Sequence, residues 1–255
     1  MLSIGIAAAA GPAVAAALAP ALEAAGLRAL WVNDTPGADA LEVLAAAAAV
    51  TSTLTLATGV IPVDRRSPAQ IVAAVERLGL PQDRLVLGIG SGALRTGALD
   101  AVGDAARTLR ADTDARVIVG ALGPRMRRRG TADADGLLLS WLTPTAAAAQ
   151  AADAHAAAPD AHVAVYVRTS VHPDADARLA AETARYAGFP NYAAHFARLG
   201  IDPAATVIDS TTDLRAALEA YENSVDEVVL RAITPTDDTA DYLGFVDAVA
   251  GARRP

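Results

Sequence analysis

Short apolar runs alternate along the chain with longer Ala-rich or amphipathic stretches, and Gly, Pro and Asp mark most of the changes. The runs at 2–7, 29–33, 54–62, 84–90, 116–122, 136–142, 162–170 and 227–233 are rich in Val, Ile, Leu and Ala. Near-continuous apolar runs of this kind suit strands buried on both faces of a parallel sheet. Between them the spacing predicts helices over 14–25, 38–50, 67–78, 99–110, 145–158 and 238–250, and a further helix opening at Gly123-Pro124. Gly26 and Gly79 stop two of these helices, and Ser67-Pro68 supplies an N-cap followed by proline at the first helical position. Pro20 lies inside the first helix, where it is expected to kink it.

Eight strand and helix alternations in 255 residues fit a single-domain (β/α)8 barrel over 1–255, with a doubly wound open sheet as the alternative. The barrel is favoured because small or chemically distinctive residues recur where strands end: Asn33-Asp34, Gly59-Val60, Ser91-Gly92, Gly123 to Arg125 and Trp141. Barrels carry their sites on that face. The regular alternation breaks once, after the seventh strand, where more than fifty residues precede the last strand. They include 174–187, the aromatics Tyr186, Phe189, Tyr192 and Phe196, and a predicted helix over 212–221 begun by Ser210 or Thr211. Such an insertion either builds a lid over the mouth or packs as a hairpin on the outside.

Composition narrows the function. A formal charge of −8 with no lysine-rich block argues against nucleic acid, which demands concentrated positive charge. All 21 basic residues are arginine. The absence of cysteine excludes disulfides, thiolate metal sites and a Cys nucleophile, and His155, His162, His172 and His195 lack metal-ligand spacing, so no metal is expected. The N-terminal residues lack a positive n-region, and every apolar stretch is interrupted before membrane-spanning length. A soluble, cytoplasmic protein with no membrane partner is expected. Hydrophobicity around most of the 38–50 helix, together with the 67–78 helix, predicts a homodimer surface.

Three strand ends carry candidate chemistry. The run 54–62 meets Gly59 and Pro62 before the charged loop Val63-Asp64-Arg65-Arg66, and a glycine there marks a bulge or a close approach to bare backbone. Gly88-Ile89-Gly90-Ser91-Gly92 places its third glycine one position early for a dinucleotide fingerprint. Gly123-Pro124-Arg125 starts a helix at a strand's C-terminal edge, where free N–H groups suit a phosphate; Arg125 lies in the first turn, and Arg127, Arg128 and Arg129 read as a solvated face. Asp34 is the carboxylate expected at the barrel mouth, either for acid and base work or as a loop-turn residue with Pro36-Gly37; Asp64 reads as structural.

Taken in order, Leu30 to Asp34, Leu56 to Val60 followed by Ser67-Pro68, Leu87 to Gly92, Gly120 to Arg125 and Ala134-Asp135-Gly136 resemble the bacterial luciferase-like flavin and deazaflavin-F420 oxidoreductases. The resemblance covers nearly the whole chain, including Phe189 to Tyr192 of the insertion. It implies a cis peptide at Gly59-Val60 within a bulge that supports the cofactor ring, a strand edge near the ring at Ser91 and Gly92, and a phosphate site at Gly123, Pro124, Arg125 and Met126. Asn33, Thr58 and Gly90 complete the implied cofactor set. Two positions depart from the family's sugar-phosphate dehydrogenases: Thr35 stands where they carry histidine, and Ala93 where they carry glutamate.

The expected function is therefore an F420-dependent oxidoreductase that moves a hydride between the deazaflavin and a small organic substrate, with Asp34 handling the proton. An FMN-dependent luciferase-like monooxygenase is the alternative cofactor reading. A cofactor-binding protein without turnover is the alternative that the missing His and Glu suggest.

Overall fold

The computed structural model describes residues 1–253. Nine parallel strand segments, β1 (Leu2–Ala7), β2 (Ala29–Asn33), β3 (Thr55–Thr58), β4 (Ile61–Pro62), β5 (Leu85–Gly90), β6 (Arg116–Gly120), β7 (Gly136–Ser140), β8 (His162–Thr169) and β9 (Glu227–Ala232), form one sheet. Its order is β3-β2-β1-β9-β8-β7-β6-β5-β4, and β3 also pairs with β5, which closes the sheet. Segments β3 and β4 are the two halves of one stave, so the eight-stave barrel expected from the sequence is what forms.

Helices α1 (Gly11–Ala24), α2 (Ala40–Ala48), α3 (Pro68–Arg77), α4 (Ala98–Asp112), α5 (Pro124–Asp133) and α6 (Pro144–Ala157) follow successive staves. Pro20 sits within α1. At the start of α3, Ser67 and Gln70 form a reciprocal capping box, so the predicted cap is present and stronger than a lone serine. The insertion contains α7 (Pro173–Ala187) and α8 (Pro190–Leu199), followed by α9 (Leu214–Glu222) and, after β9, α10 (Thr239–Arg253). The predicted cap of α9 is corrected. Its N-cap is Asp213, which accepts from the Ala216 amide at 3.1 Å, while Thr211 and Thr212 bond instead to Asp209. The predicted strand over 54–62 is likewise interrupted at Gly59-Val60.

Two apolar compartments result. Leu, Val and Ile on the outward faces of the strands pack beneath the helices, while Ala29, Trp31, Ala57, Val86, Ile118, Leu138, Ala164, Tyr166 and Val229 fill the barrel. The period of two along each strand separates these sets. At the N-terminal floor of the barrel, Glu227 accepts from the Ser3 hydroxyl at 2.6 Å and the Trp31 indole at 2.7 Å, and meets His162 at 2.7 Å. Arg28 lies 3.5 Å away. Burial pushes the Glu227 carboxyl up, but the His162, Ser3 and Trp31 contacts outweigh it and hold the group below the usual carboxylate range. Among the described residues no helix is long and apolar enough to cross a membrane, and no cluster of His, Cys, Asp and Glu is placed to hold a metal.

Candidate functional site

The bulge between β3 and β4 is the centre of the mouth. The Gly59-Val60 bond is cis, as the family resemblance implied. Gly59 N–H donates to the Val32 carbonyl at 2.8 Å and the Thr58 hydroxyl to the Gly88 carbonyl at 2.9 Å, which ties the bulge to both neighbouring staves. Asn33 donates its side-chain amide to the Gly59 carbonyl and accepts from the Tyr166 hydroxyl through its own oxygen. Val60 then lies across two bare strand positions. A Cβ at Gly90 would sit 2.6 Å from Val60 Cγ2, and one at Gly120 would sit 3.0 Å from Cγ1. These glycines are required by the close approach of the bulge.

The other strand ends join it. Ser91 and Gly92 follow β5 directly, and Gly92 has φ +57° in a turn fixed by Asp64, which accepts from the Ala93 amide at 2.8 Å. Asp64 is thereby a loop tie, in agreement with its structural reading. After β6, Gly123 is the N-cap of α5; no side chain caps the helix, and nothing lies within 4 Å of a Cβ built on Gly123. The amides of Arg125 and Met126 in that first turn have no partner within the helix. Arg125 itself is exposed, and its side chain forms no hydrogen bond or ion pair with the described residues.

Asp34 occupies a different part of the rim. Its carboxylate accepts from the Ala40 amide at 3.2 Å and pairs with Arg65 at 2.7 Å, in a cleft lined also by Arg66, Gln70 and Arg77. Burial raises its pKa, opposed by the Ala40 N–H and Arg65. Asn33, Thr58, Gly59, Val60 and Gly90 thus form one contiguous group, Ser91 and Gly92 border it, Gly123 to Met126 stand at the end of the next strand, and Asp34 flanks the group from outside the barrel.

Sequence reasoning missed the opposite wall. Tyr166, Arg168 and Arg231 point inward from β8 and β9, in register with residues of known inward direction. The Arg168 guanidinium covers the Trp141 ring at 4.0 Å and Tyr186 at 4.9 Å, donates to the Ser140 hydroxyl at 2.6 Å and pairs with Glu182 of α7 at 3.3 Å. Burial raises the Tyr166 pKa, so its hydroxyl stays a donor. The signal was present as polar residues of one parity, His162, Tyr166 and Arg168 on β8 and Glu227 and Arg231 on β9, with Ala164 and Val229 between them.

The insertion packs over this wall as the lid reading expected. Tyr186 lies 5.1 Å and Phe196 5.8 Å from Trp141, ring centre to ring centre. On α8, His195 meets the Trp141 carbonyl through Nε2 at 3.0 Å, and Arg198 donates to His195 Nδ1 at 3.0 Å and to the Leu122 carbonyl at 2.9 Å. His195 Nδ1 also lies 3.1 Å from the Leu122 carbonyl. A neutral ring with its proton on Nε2 satisfies the Trp141 and Arg198 contacts and leaves Arg198 as the donor to that carbonyl, and burial lowers the His195 pKa in keeping with a neutral ring.

A deazaflavin or flavin requires an accessible phosphate position and a backbone surface for its ring. The open, uncapped start of α5 and the half-buried bulge at Val60 meet both needs.

Residues 3–97 match the model of the luciferase-like monooxygenase family. No curated protein matches the chain. Among solved structures, the chain is similar to an F420-dependent secondary alcohol dehydrogenase in complex with an F420-acetone adduct, at TM-score 0.70 and 15% identity over 99% of each chain. It is also similar to the coenzyme F420-dependent tetrahydromethanopterin reductase of Methanopyrus kandleri, at 0.69 and 16% over 95% of this chain and 96% of that one. A third is the oxygenating constituent of the Pseudomonas putida 3,6-diketocamphane monooxygenase, in complex with FMN, at 0.68 and 15% over 98% and 97%. The resemblance read from the strand-end motifs is met by the luciferase-like monooxygenase family model over residues 3–97, and the (β/α)8 fold is shared with these solved structures along the chain.

Proposed function

We propose that this protein is an F420-dependent oxidoreductase that transfers a hydride between the deazaflavin and a small organic substrate. The observation that carries the reading is the gathering, at one barrel mouth, of the Gly59-Val60 bulge, the Ser91-Gly92 edge and the uncapped helix start at Gly123. The bound deazaflavin would supply the hydride chemistry. The chain's own residues hold and orient it: Asn33, Thr58 and Gly90 fix the bulge against which one ring face rests, and Gly123 to Met126 with Arg125 hold the phosphate. Asp34 is the proton-handling group, with a carboxyl made more basic by burial. The lid helices α7 and α8 exclude water from the wall opposite the bulge.

FMN is the second reading, favoured by the FMN-bound monooxygenase among the similar folds. Absorbance titration of the purified protein with F420 and with FMN tests the choice; saturable binding of F420 in preference to FMN is expected, and binding of FMN alone would replace the first reading by the second. We also propose a homodimer through α2 and α3. On α2, Ala46 is half-buried and Glu42 is exposed, while Ala49 and Val50 just beyond it are exposed, Val50 by 46%. A monomeric mass by light scattering at micromolar concentration would count against it.

A further inference from the structure

Strand β9 turns three residues toward the barrel axis, Glu227 at the floor, Val229 in the middle and Arg231 at the mouth. Arg231 pairs in register with Gly5 on β1 and Arg168 on β8. Beside it is a cleft of ≈ 370 Å³ whose polar lining is Arg178, Glu182 and Arg185 from α7, with Asp237 and Tyr242 from the last crossover. Its remaining wall is small and apolar, made of alanines and Ile233.

Both carboxylates of the cleft are already engaged. Glu182 pairs with Arg168 at 3.3 Å, and Asp237 pairs with Arg178 and accepts from the Tyr242 hydroxyl at 3.0 Å. Arg185 is exposed and lies 5.6 Å from the Tyr186 ring. Arg231 has no carboxylate of the described residues within ion-pairing distance, and its hydrogen bond goes to the carbonyl of its neighbour Ala232. Burial disfavours its charge, and Glu182 and Asp237 across the cleft favour it without pairing with it. A guanidinium carries five N–H donors, and a half-buried one without a direct ion pair is matched by an anion that accepts two of them.

We propose that Arg231 anchors the carboxylate of the substrate, so that the molecule turned over at this mouth is a small organic acid with an apolar body. Resting on the oxidoreductase reading, this adds its substrate class. With Arg168 and Arg178 each paired and Arg185 exposed to solvent, a single half-buried cation without an ion pair matches a monoanion better than a phosphate dianion. The apolar wall suits a short hydrocarbon segment. Asn33, which touches the bulge, lies on β2, two strand spacings from β9, or roughly 10 Å. A carboxylate at Arg231 therefore leaves the rest of a small molecule extended toward the bulge.

The test compares 4-oxopentanoate with its neutral amide, 4-oxopentanamide, by calorimetry on the full chain, first alone and then with F420 added. Tighter binding of the acid by roughly ten- to hundredfold is expected in at least one of the two conditions, the range for a hydrogen bond to a charged group. Arg231→Gln should abolish this preference and Arg231→Lys should keep part of it. Equal binding of acid and amide by the wild type in both conditions overturns the proposal, as does an Arg231→Gln protein that retains the preference. Inorganic phosphate competing more strongly than the acid also overturns it. If Arg231→Gln does not fold, as judged by circular dichroism, the wild-type preference and the Arg231→Lys protein decide. An acid preference without binding of F420 or FMN removes the cofactor reading and leaves the anion site standing; cofactor binding without the preference removes only the anion site.

Discussion

The floor and the mouth of the barrel both contain charged groups withdrawn from water, but they treat them differently. At the floor, Glu227 is 3% exposed and receives hydrogen bonds from Ser3 and Trp31 while also contacting His162, with Arg28 nearby. Its charge is consumed by the fold. At the mouth, Arg231 has only a neighbouring carbonyl, Asp34 is shared between a backbone amide and Arg65, and the start of α5 has no cap. Unspent donors cluster where a ligand can reach them. Satisfied buried charge fixes the structure, whereas incompletely satisfied charge at an open end is available for recognition.

The largest effect should come from the floor. Glu227→Ala leaves His162, the Trp31 N–H and the Ser3 hydroxyl without their shared acceptor, and should cost about 3–5 kcal/mol in urea unfolding. The same carboxylate gives the fold an acid limit. Its folded pKa lies below its ordinary value of 4.5, so its contribution is complete above that value and is lost as pH falls through the folded value. Glu227→Gln should flatten that part of the stability curve. A protein that loses Glu227 with no change in stability would break the contrast between the two ends.

Asp34→Asn should do the reverse. Arg65 is 38% exposed, so the ion pair contributes about 0–1 kcal/mol and the fold should persist. If Asp34 handles the proton, kcat should fall by roughly 10² to 10⁴ while cofactor affinity is unchanged. Steady-state rates beside an absorbance titration decide this. Lost stability with undiminished kcat would make Asp34 a loop tie like Asp64.

How far the sequence could be read follows from which signals are local. Ser67-Pro68, the glycine stops and the helix start at Gly123-Pro124 act within one turn, and each stands as read. The bulge at Gly59-Val60 came through its family motif together with a glycine at a strand end. By contrast, the apolar centre of 163–167 concealed the polar parity of His162, Tyr166 and Arg168, because a strand buried on both faces shows little alternation. The partners of these residues lie on other staves or in the insertion, so their pairing exists only once the barrel closes. The cap of α9 was missed for a related reason: Ser, Thr and Asp crowd 209–213, and only the bonds to Asp209 reveal which of them is spent in the preceding turn.

Gly90→Ala probes the backbone of the mouth. The added methyl would meet Val60, whose branched side chain has few alternative rotamers, so about 1–3 kcal/mol of stability should be lost along with cofactor affinity. Gly123→Ala provides the contrast, because that position is open and its φ of −100° suits any residue. Its unfolding midpoint should hardly move. Equal losses for the two substitutions would mean that Val60 yields easily and that the bulge is not held against β5.

The smallest effect on the fold belongs to Arg125→Ala. Arg125 is exposed and its side chain forms no hydrogen bond or ion pair with the described residues, so unfolding should be unchanged within the error of the measurement. Its effect should appear only in binding. A helix N-terminus favours an anion by about 0.3–2 kcal/mol, and a charge-assisted contact from Arg125 adds a similar amount, so its removal should weaken F420 roughly tenfold. The loss should diminish at high salt, since an exposed charge is screened. Arg129 is the control because it is already paired with Asp133 at 2.8 Å, one turn along the same helix. Arg129→Ala should therefore disturb stability more than affinity. If Arg129→Ala weakened F420 and Arg125→Ala did not, the phosphate would have to lie elsewhere, and the uncapped turn at Gly123 would be only an exposed helix end.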